Sequence, residues 1–315
     1  MAVRRGGTDS RGGTGTRRLG VAIAALGGAL ALTAAAVSPT AAVGRPEQGR
    51  HHGPALRYTA LGDSYTAGPA IPTQVDAACA RSDHDYPSLA AAAEHADLTD
   101  VSCSGATTAE MWQAQGTNPP QLDAVHRDTD LVTLQIGGND IGFGSIIATC
   151  AALSATDPAG SPCEQHYTAG GTDQLTANVL QTAPKVAAVL RAIHTRAPHA
   201  RVVVVGYPDL LPDDGVGCFP AVPFAAGDFP YLRDTEKRLN TMLRAEALLH
   251  GAAYTDTYTP TVGRDMCRAA DVRWIEPLTP ASPAAPAHPN AKGEQAMAAA
   301  LERQLAHVLP GCGGR

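Results

Sequence analysis

Four short polar blocks carry the residues best suited to chemistry. They are Gly62-Asp63-Ser64 in "YTALGDSYTAG", Gly105 in "CSGATT", Gly137-Gly138-Asn139-Asp140 in "GGNDIGFG", and His288-Pro289-Asn290 in "AAPAHPNAKG". A serine hydroxyl barely ionises near neutral pH and needs a base before it attacks a carbonyl. His288 suits that task, because imidazole titrates near neutrality and Pro286 and Pro289 stiffen its loop. Attack on an ester places negative charge on the carbonyl oxygen, and donors arranged around that oxygen stabilise the transition state. Gly105 permits close approach of its backbone N–H, and the Asn139 amide donates without carrying charge. The N–H of Ser64 is the third candidate donor. Taken alone, Ser64 reads equally as a helix cap, "GGND" as a tight turn, and Asp63 and Asp140 as turn or cap residues. His288 alone reads as one surface histidine among 11.

These residues need a scaffold. Five apolar runs read as strands, near 56–62, 98–105, 130–138, 201–208 and 252–258. Three of them are near-continuous rather than alternating, as buried parallel strands are. Helical patterns cover 86–96, 172–198, 234–251 and 290–309, with Pro184 expected to bend or split the second. Asp173 and Asn290 stand where helix caps belong. Alternation of strands and helices predicts an α/β fold, a central parallel sheet of about five strands covered on both faces. Three of the polar blocks follow the first three strands, where such sheets place their sites. Segments 145–171 and 207–232 are rich in Pro, Gly and Cys and read as loop insertions.

The 315 residues are 44% hydrophobic and only 17% charged, enough for one sizeable core. Arg4, Arg5, Arg11, Arg17 and Arg18 precede the apolar run Leu19–Val37, and small residues follow. This pattern predicts a secretory signal over 1–42, cleaved near Ala42, with Ala34-x-Ala36 a second small-x-small site. The run is mostly Ala and Gly, which favours a cleaved signal over a membrane anchor. A polar lead-in over 43–55 and one catalytic domain over 56–315 are expected to follow. Without residues 1–42, which hold five arginines and one aspartate, the formal charge falls from −6 to −10. An acidic secreted chain is a poor binder of nucleic acid and of anionic membranes. Seven cysteines without a CxxC pair point to disulfides rather than zinc, with one cysteine left over, most naturally Cys312.

The four blocks, in this order, resemble the SGNH (GDSL) family of serine ester hydrolases, and with the cysteine layout the chain is most similar to its secreted actinobacterial esterases and lipases. The resemblance runs from about Tyr58 to the last helix. It implies a flavodoxin-like three-layer α/β/α fold, Ser64 and His288 as catalytic residues, and Ser64, Gly105 and Asn139 as the oxyanion hole. It also implies disulfides Cys79–Cys103, Cys150–Cys163 and Cys218–Cys267, an acyl ester as substrate, and action as a monomer without metal or organic cofactor. The family usually carries Asp three residues before its histidine, where this chain has Ala285. The expectation is therefore a Ser-His dyad, with the Ala285 carbonyl orienting the ring and Asp271 or Glu276 as lesser candidates. Acyl transfer to another alcohol and a non-catalytic binding role are the competing functions.

Overall fold

The computed structural model describes residues 55–309; the expected signal over 1–42, nearly all of the lead-in and Cys312 lie outside the described residues. The chain enters through β1 (Arg57–Gly62) and turns into the four-residue helix α1 (Ser64–Ala67). A small antiparallel pair follows, β2 (Gln74–Asp76) with β3 (Arg81–Ser82). Next come α2 (Tyr86–Glu94), β4 (Asp97–Asp100) and β5 (Leu131–Gln135). Three helices, α3 (Phe143–Ser154), α4 (Pro162–Thr168) and α5 (Gln174–Arg196), lead to β6 (Arg201–Val205). The chain closes with α6 (Asp228–Leu249), β7 (Ala253–Thr255) and α7 (Ala291–Val308).

The five predicted strands form one sheet in the order β4-β1-β5-β6-β7, with every neighbouring pair parallel. The second sheet strand in the chain thus lies on one side of the first and the third on the other. That is the flavodoxin-like order, and its switch point falls at the carboxyl ends of β4, β1 and β5. Apolar side chains alternate between the two faces. Val202 and Val204 of β6 join Val186 and Leu190 of α5 and Leu239 of α6 in one core. Val203 and Val205 join Tyr86 of α2 and Met297 and Leu301 of α7 in the other. The chain is a three-layer α/β/α structure.

Several boundaries differ from the sequence reading. The helix α5 runs unbroken through Pro184. Proline removes the hydrogen bond to the carbonyl four residues earlier, which here is that of Leu180, a residue 67% exposed and open to water. Segment 145–171, read as a loop, holds most of α3 and all of α4. Ile146 and Cys150 of α3, four apart, are buried, and that spacing is the signal available in sequence. Asp228 opens α6 six residues before the predicted start, and its carboxylate accepts from the N–H groups of Cys163 and Glu164 in the first turn of α4. Disulfides join Cys79 to Cys103, Cys150 to Cys163 and Cys218 to Cys267. The second ties α3 to α4, and the third ties the loop after β6 to the segment after β7.

Candidate active site

Ser64 stands two residues beyond Gly62, the last residue of β1. A Cβ on Gly62 would lie 2.1 Å from Thr66 Oγ1 and 2.9 Å from the Gln135 carbonyl oxygen, so only glycine allows so tight a turn. The cap of α1 is Asp63, whose carboxylate accepts from Tyr65 N at 3.0 Å. The capping role is therefore filled, and the Ser64 hydroxyl is free for another partner. That partner is His288: Nε2 lies 2.7 Å from Ser64 Oγ. Ser64 is 8% exposed. The Ser64 hydroxyl thus faces the imidazole, and the cap of α1 is made by Asp63.

The opposite ring nitrogen of His288, Nδ1, lies 2.7 Å from the carbonyl oxygen of Pro286. The sequence reading placed Ala285 there, and the structure corrects it by one residue. The Ala285 carbonyl accepts instead from the backbone N–H of His288 at 3.2 Å, closing a turn. Pro286 is second and Ala287 third in that turn, with Ala287 at φ +59°. The first carbonyl of such a turn is consumed by the closing bond, so the next one is left for the ring. Neither lesser acid candidate reaches the imidazole. Asp271 is exposed. Glu276 is buried and accepts from Arg273, from Asn290 Nδ2 at 2.8 Å and from Ala281 N at 2.9 Å. Burial opposes its ionisation, but Arg273 and the other donors outweigh it and hold its pKa down to about 2. The N–H of Glu276 donates to the His288 carbonyl at 2.9 Å, so this carboxylate organises the loop from behind the ring.

The candidate oxyanion donors sit on two other loops at the same sheet edge. Gly105 follows β4 at φ +84°, a conformation that favours glycine. Asn139 follows β5, and one amide hydrogen donates to the Ala106 carbonyl at 2.9 Å, which sets the side chain's direction and leaves its second hydrogen free. Asp140 joins the two loops: its carboxylate accepts from Thr108 N at 2.8 Å and Thr108 Oγ1 at 2.6 Å. Among the described residues, neither Ser64 N nor Gly105 N donates to a protein acceptor. The Asp63 side chain joins the Ser64 turn to the Asn139 loop. It accepts from Tyr207 Oη at 2.5 Å, and Tyr207 Oη accepts from Gly138 N at 2.9 Å. Burial pushes the Asp63 pKa up to about 7, against the pull of these hydrogen bonds.

Three residues at the site were not singled out in the sequence. Tyr65 stacks on the His288 ring, with centroids 4.7 Å apart and planes at 29°. Phe143 meets that ring edge-on at 6.0 Å. Tyr207 packs against Tyr65 at 5.1 Å. No motif marks them; Tyr65 was signalled only by its place beside Ser64. Enclosure of His288 lowers its pKa below the ordinary histidine value, while the Pro286 carbonyl works the other way. Beside Ser64 and Asn139 opens a narrow cleft lined largely by Ile146, Ile147, Leu210, Leu211, Leu232, Leu239 and Met266.

Residues 60–296 match the GDSL-like Lipase/Acylhydrolase family. The chain belongs to that family. It is 43% identical over 252 residues to Lipase 2 of Streptomyces coelicolor, covering 78% of this chain and 84% of that one. It is 32% identical over 295 residues to an esterase of Streptomyces scabiei, covering 79% and 85%. Among solved structures it resembles phospholipase A1 of Streptomyces albidoflavus, with a TM-score of 0.67 at 28% identity over 79% of this chain and 99% of that one. The extracellular lipase of Streptomyces rimosus gives 0.66 at 29% identity, again over 79% and 99%. Family membership makes the chain a carboxylic ester hydrolase, acting on an ester substrate. No helix among the described residues is long and apolar enough to cross a membrane.

Proposed function

We propose that the chain is a secreted serine esterase that cleaves esters of apolar acyl groups through a Ser64–His288 dyad and an acyl-enzyme. The observation that carries this reading is the alignment of Ser64 Oγ, the His288 ring and the Pro286 carbonyl, with 2.7 Å contacts on both sides of the ring. Nδ1–H donates to Pro286, which leaves Nε2 as the lone-pair acceptor facing the hydroxyl. His288 Nε2 takes the Ser64 proton as Oγ bonds to the acyl carbon and the carbonyl electron pair moves onto oxygen. The N–H groups of Ser64 and Gly105 and the Asn139 amide hold that oxyanion. His288 then protonates the alcohol as the carbon–oxygen bond breaks. A water molecule, deprotonated by the same nitrogen, releases the acid and restores Ser64. The apolar cavity takes the acyl chain. Secretion is supported by the Arg-rich and apolar leader pattern, by the three disulfides and by the extracellular relative.

The test is labelling by a fluorophosphonate together with turnover of soluble p-nitrophenyl esters by Ser64→Ala and His288→Ala. Each variant should lose about 10⁴-fold or more in kcat, and Ser64→Ala should lose the label. Wild-type turnover by Ser64→Ala sinks the proposal. Along a series of acyl lengths, kcat/KM should climb by up to about fourfold per methylene until the cavity is filled.

A further inference from the structure

A dyad without a carboxylate leaves the imidazolium formed at each step without a charged partner, and the packing around His288 removes much of its water. We propose that Tyr65 is a positioning residue that takes over the absent acid's two tasks, its ring face steadying the charged imidazole and its hydroxyl fixing the loop that carries it. The inference rests on the dyad reading and deepens it.

Tyr65 is 3% exposed, and every part of its side chain is engaged. The ring lies 4.7 Å from the His288 ring at 29°, within the range at which a cation is attracted to an aromatic face. The phenol hydroxyl donates to the Ala287 carbonyl at 2.6 Å. Ala287 is the residue of the His288 turn with positive φ, so the hydrogen bond secures the most strained point of that loop. Tyr207 at 82° and Phe143 at 81° pack edge-to-face on Tyr65 and prevent the ring from turning away. Burial raises the phenol pKa well above its ordinary value, so Tyr65 stays a neutral donor. Tyr65 also follows Ser64 in α1, so one turn of helix supplies the nucleophile and the support for its base. The acids acting on Tyr65 are Glu236, Asp63 and Glu294, and none of them bonds to the imidazole.

The experiment compares Tyr65→Phe, which keeps the ring, with Tyr65→Leu, which keeps only apolar bulk. Both are made in the full chain and assayed on a short soluble ester across pH. In parallel, the His288 ring is titrated by NMR in a Ser64→Ala background. Tyr65→Leu should lower kcat about tenfold, with KM of the short ester within about twofold. Its acid limb and its ring pKa should both fall by about one unit, since the charged ring loses its aromatic neighbour. Tyr65→Phe should lose only about threefold in kcat and keep the wild-type ring pKa. Unchanged kcat and ring pKa in Tyr65→Leu overturn the proposal. So does a ring pKa in Tyr65→Phe that drops by a full unit, a reading that needs no Leu variant to fold. Failure of the dyad would show instead as turnover surviving Ser64→Ala, with the NMR result standing apart from it.

Discussion

The two proposed catalytic partners are held in different ways. Ser64 leaves a strand bonded on both sides, by β4 and by β5, and the backbone ladder sets its position. His288 lies in a long stretch between β7 and α7 with no strand or α-helix of its own, apart from an isolated bridge of Ile275 with Pro289. That stretch is held by scattered backbone bonds and by a few side chains, chiefly the Glu276 carboxylate, the Asn290 amide and the Cys218–Cys267 bridge. A backbone ladder spreads its load over many bonds. A carboxylate that collects several donors concentrates it. The His288 side of the site should therefore fail to single substitutions that the Ser64 side would tolerate.

The strongest way to expose this contrast is Glu276→Ala. Removing one member of a buried ion pair strands Arg273, and the cost should be about 3–5 kcal/mol in chemical denaturation. Activity should fall through kcat as His288 loses its register. Titration gives the same contrast more gently. The Glu276 pKa is about 2 when folded against 4.5 for the free side chain, so its contribution is full above about 4.5 and is lost as pH falls towards 2. Asp63 and Asp209 have the opposite sign. Burial raises each to about 7, so stability is lost as pH climbs from about 4 through 7. Melting temperature against pH should thus peak on the acid side of neutrality, and Glu276→Gln should flatten only the acid flank.

A smaller effect is expected where Asp140 pins the loops of the proposed oxyanion donors. Asp140→Ala leaves the Thr108 donors unpaired and loosens Gly105 from Asn139. It should reduce kcat about 10- to 100-fold with little change in KM, read from steady-state kinetics. Smallest is Pro286→Ala, which keeps the carbonyl that meets the ring. It should cost about 1 kcal/mol or less of stability through added chain entropy, with kcat within about threefold of wild type. A large loss would mean that the rigid ring of Pro286, and not only its carbonyl, holds His288.

The same division governs what could be read from sequence. The sheet was legible because β5 and β6 are near-continuous apolar runs with helical patterns between them, and period alone separates the two. Ser64, Asn139 and His288 could be singled out because each sits in a short local motif, and the structure brings Ser64 and His288 into contact. The carbonyl facing His288 was missed by one residue, because a turn decides which of two adjacent carbonyls is spent on closing it. Tyr65 and Phe143 were missed because contact with His288 joins residues more than 140 positions apart, and no spacing rule spans that distance. The helix α3 was missed because Gly, Pro and Cys in its surroundings outweighed a short apolar period.

The cavity wall has a consequence for how such a protein can change over time. Apart from Asp63, Ser64 and Tyr65 at one end, its lining comes from the loop after β5, from α3, from the loop after β6, from α6 and from Met266 after β7. The strands of the sheet take no part in that wall, and the turn that carries Ser64 closes only the end beside the reacting groups. Substitutions there can lengthen, shorten or bend the chamber while the reacting groups keep their places. Natural variation can therefore redirect the enzyme from one acid to another by small steps, each leaving a working catalyst behind it.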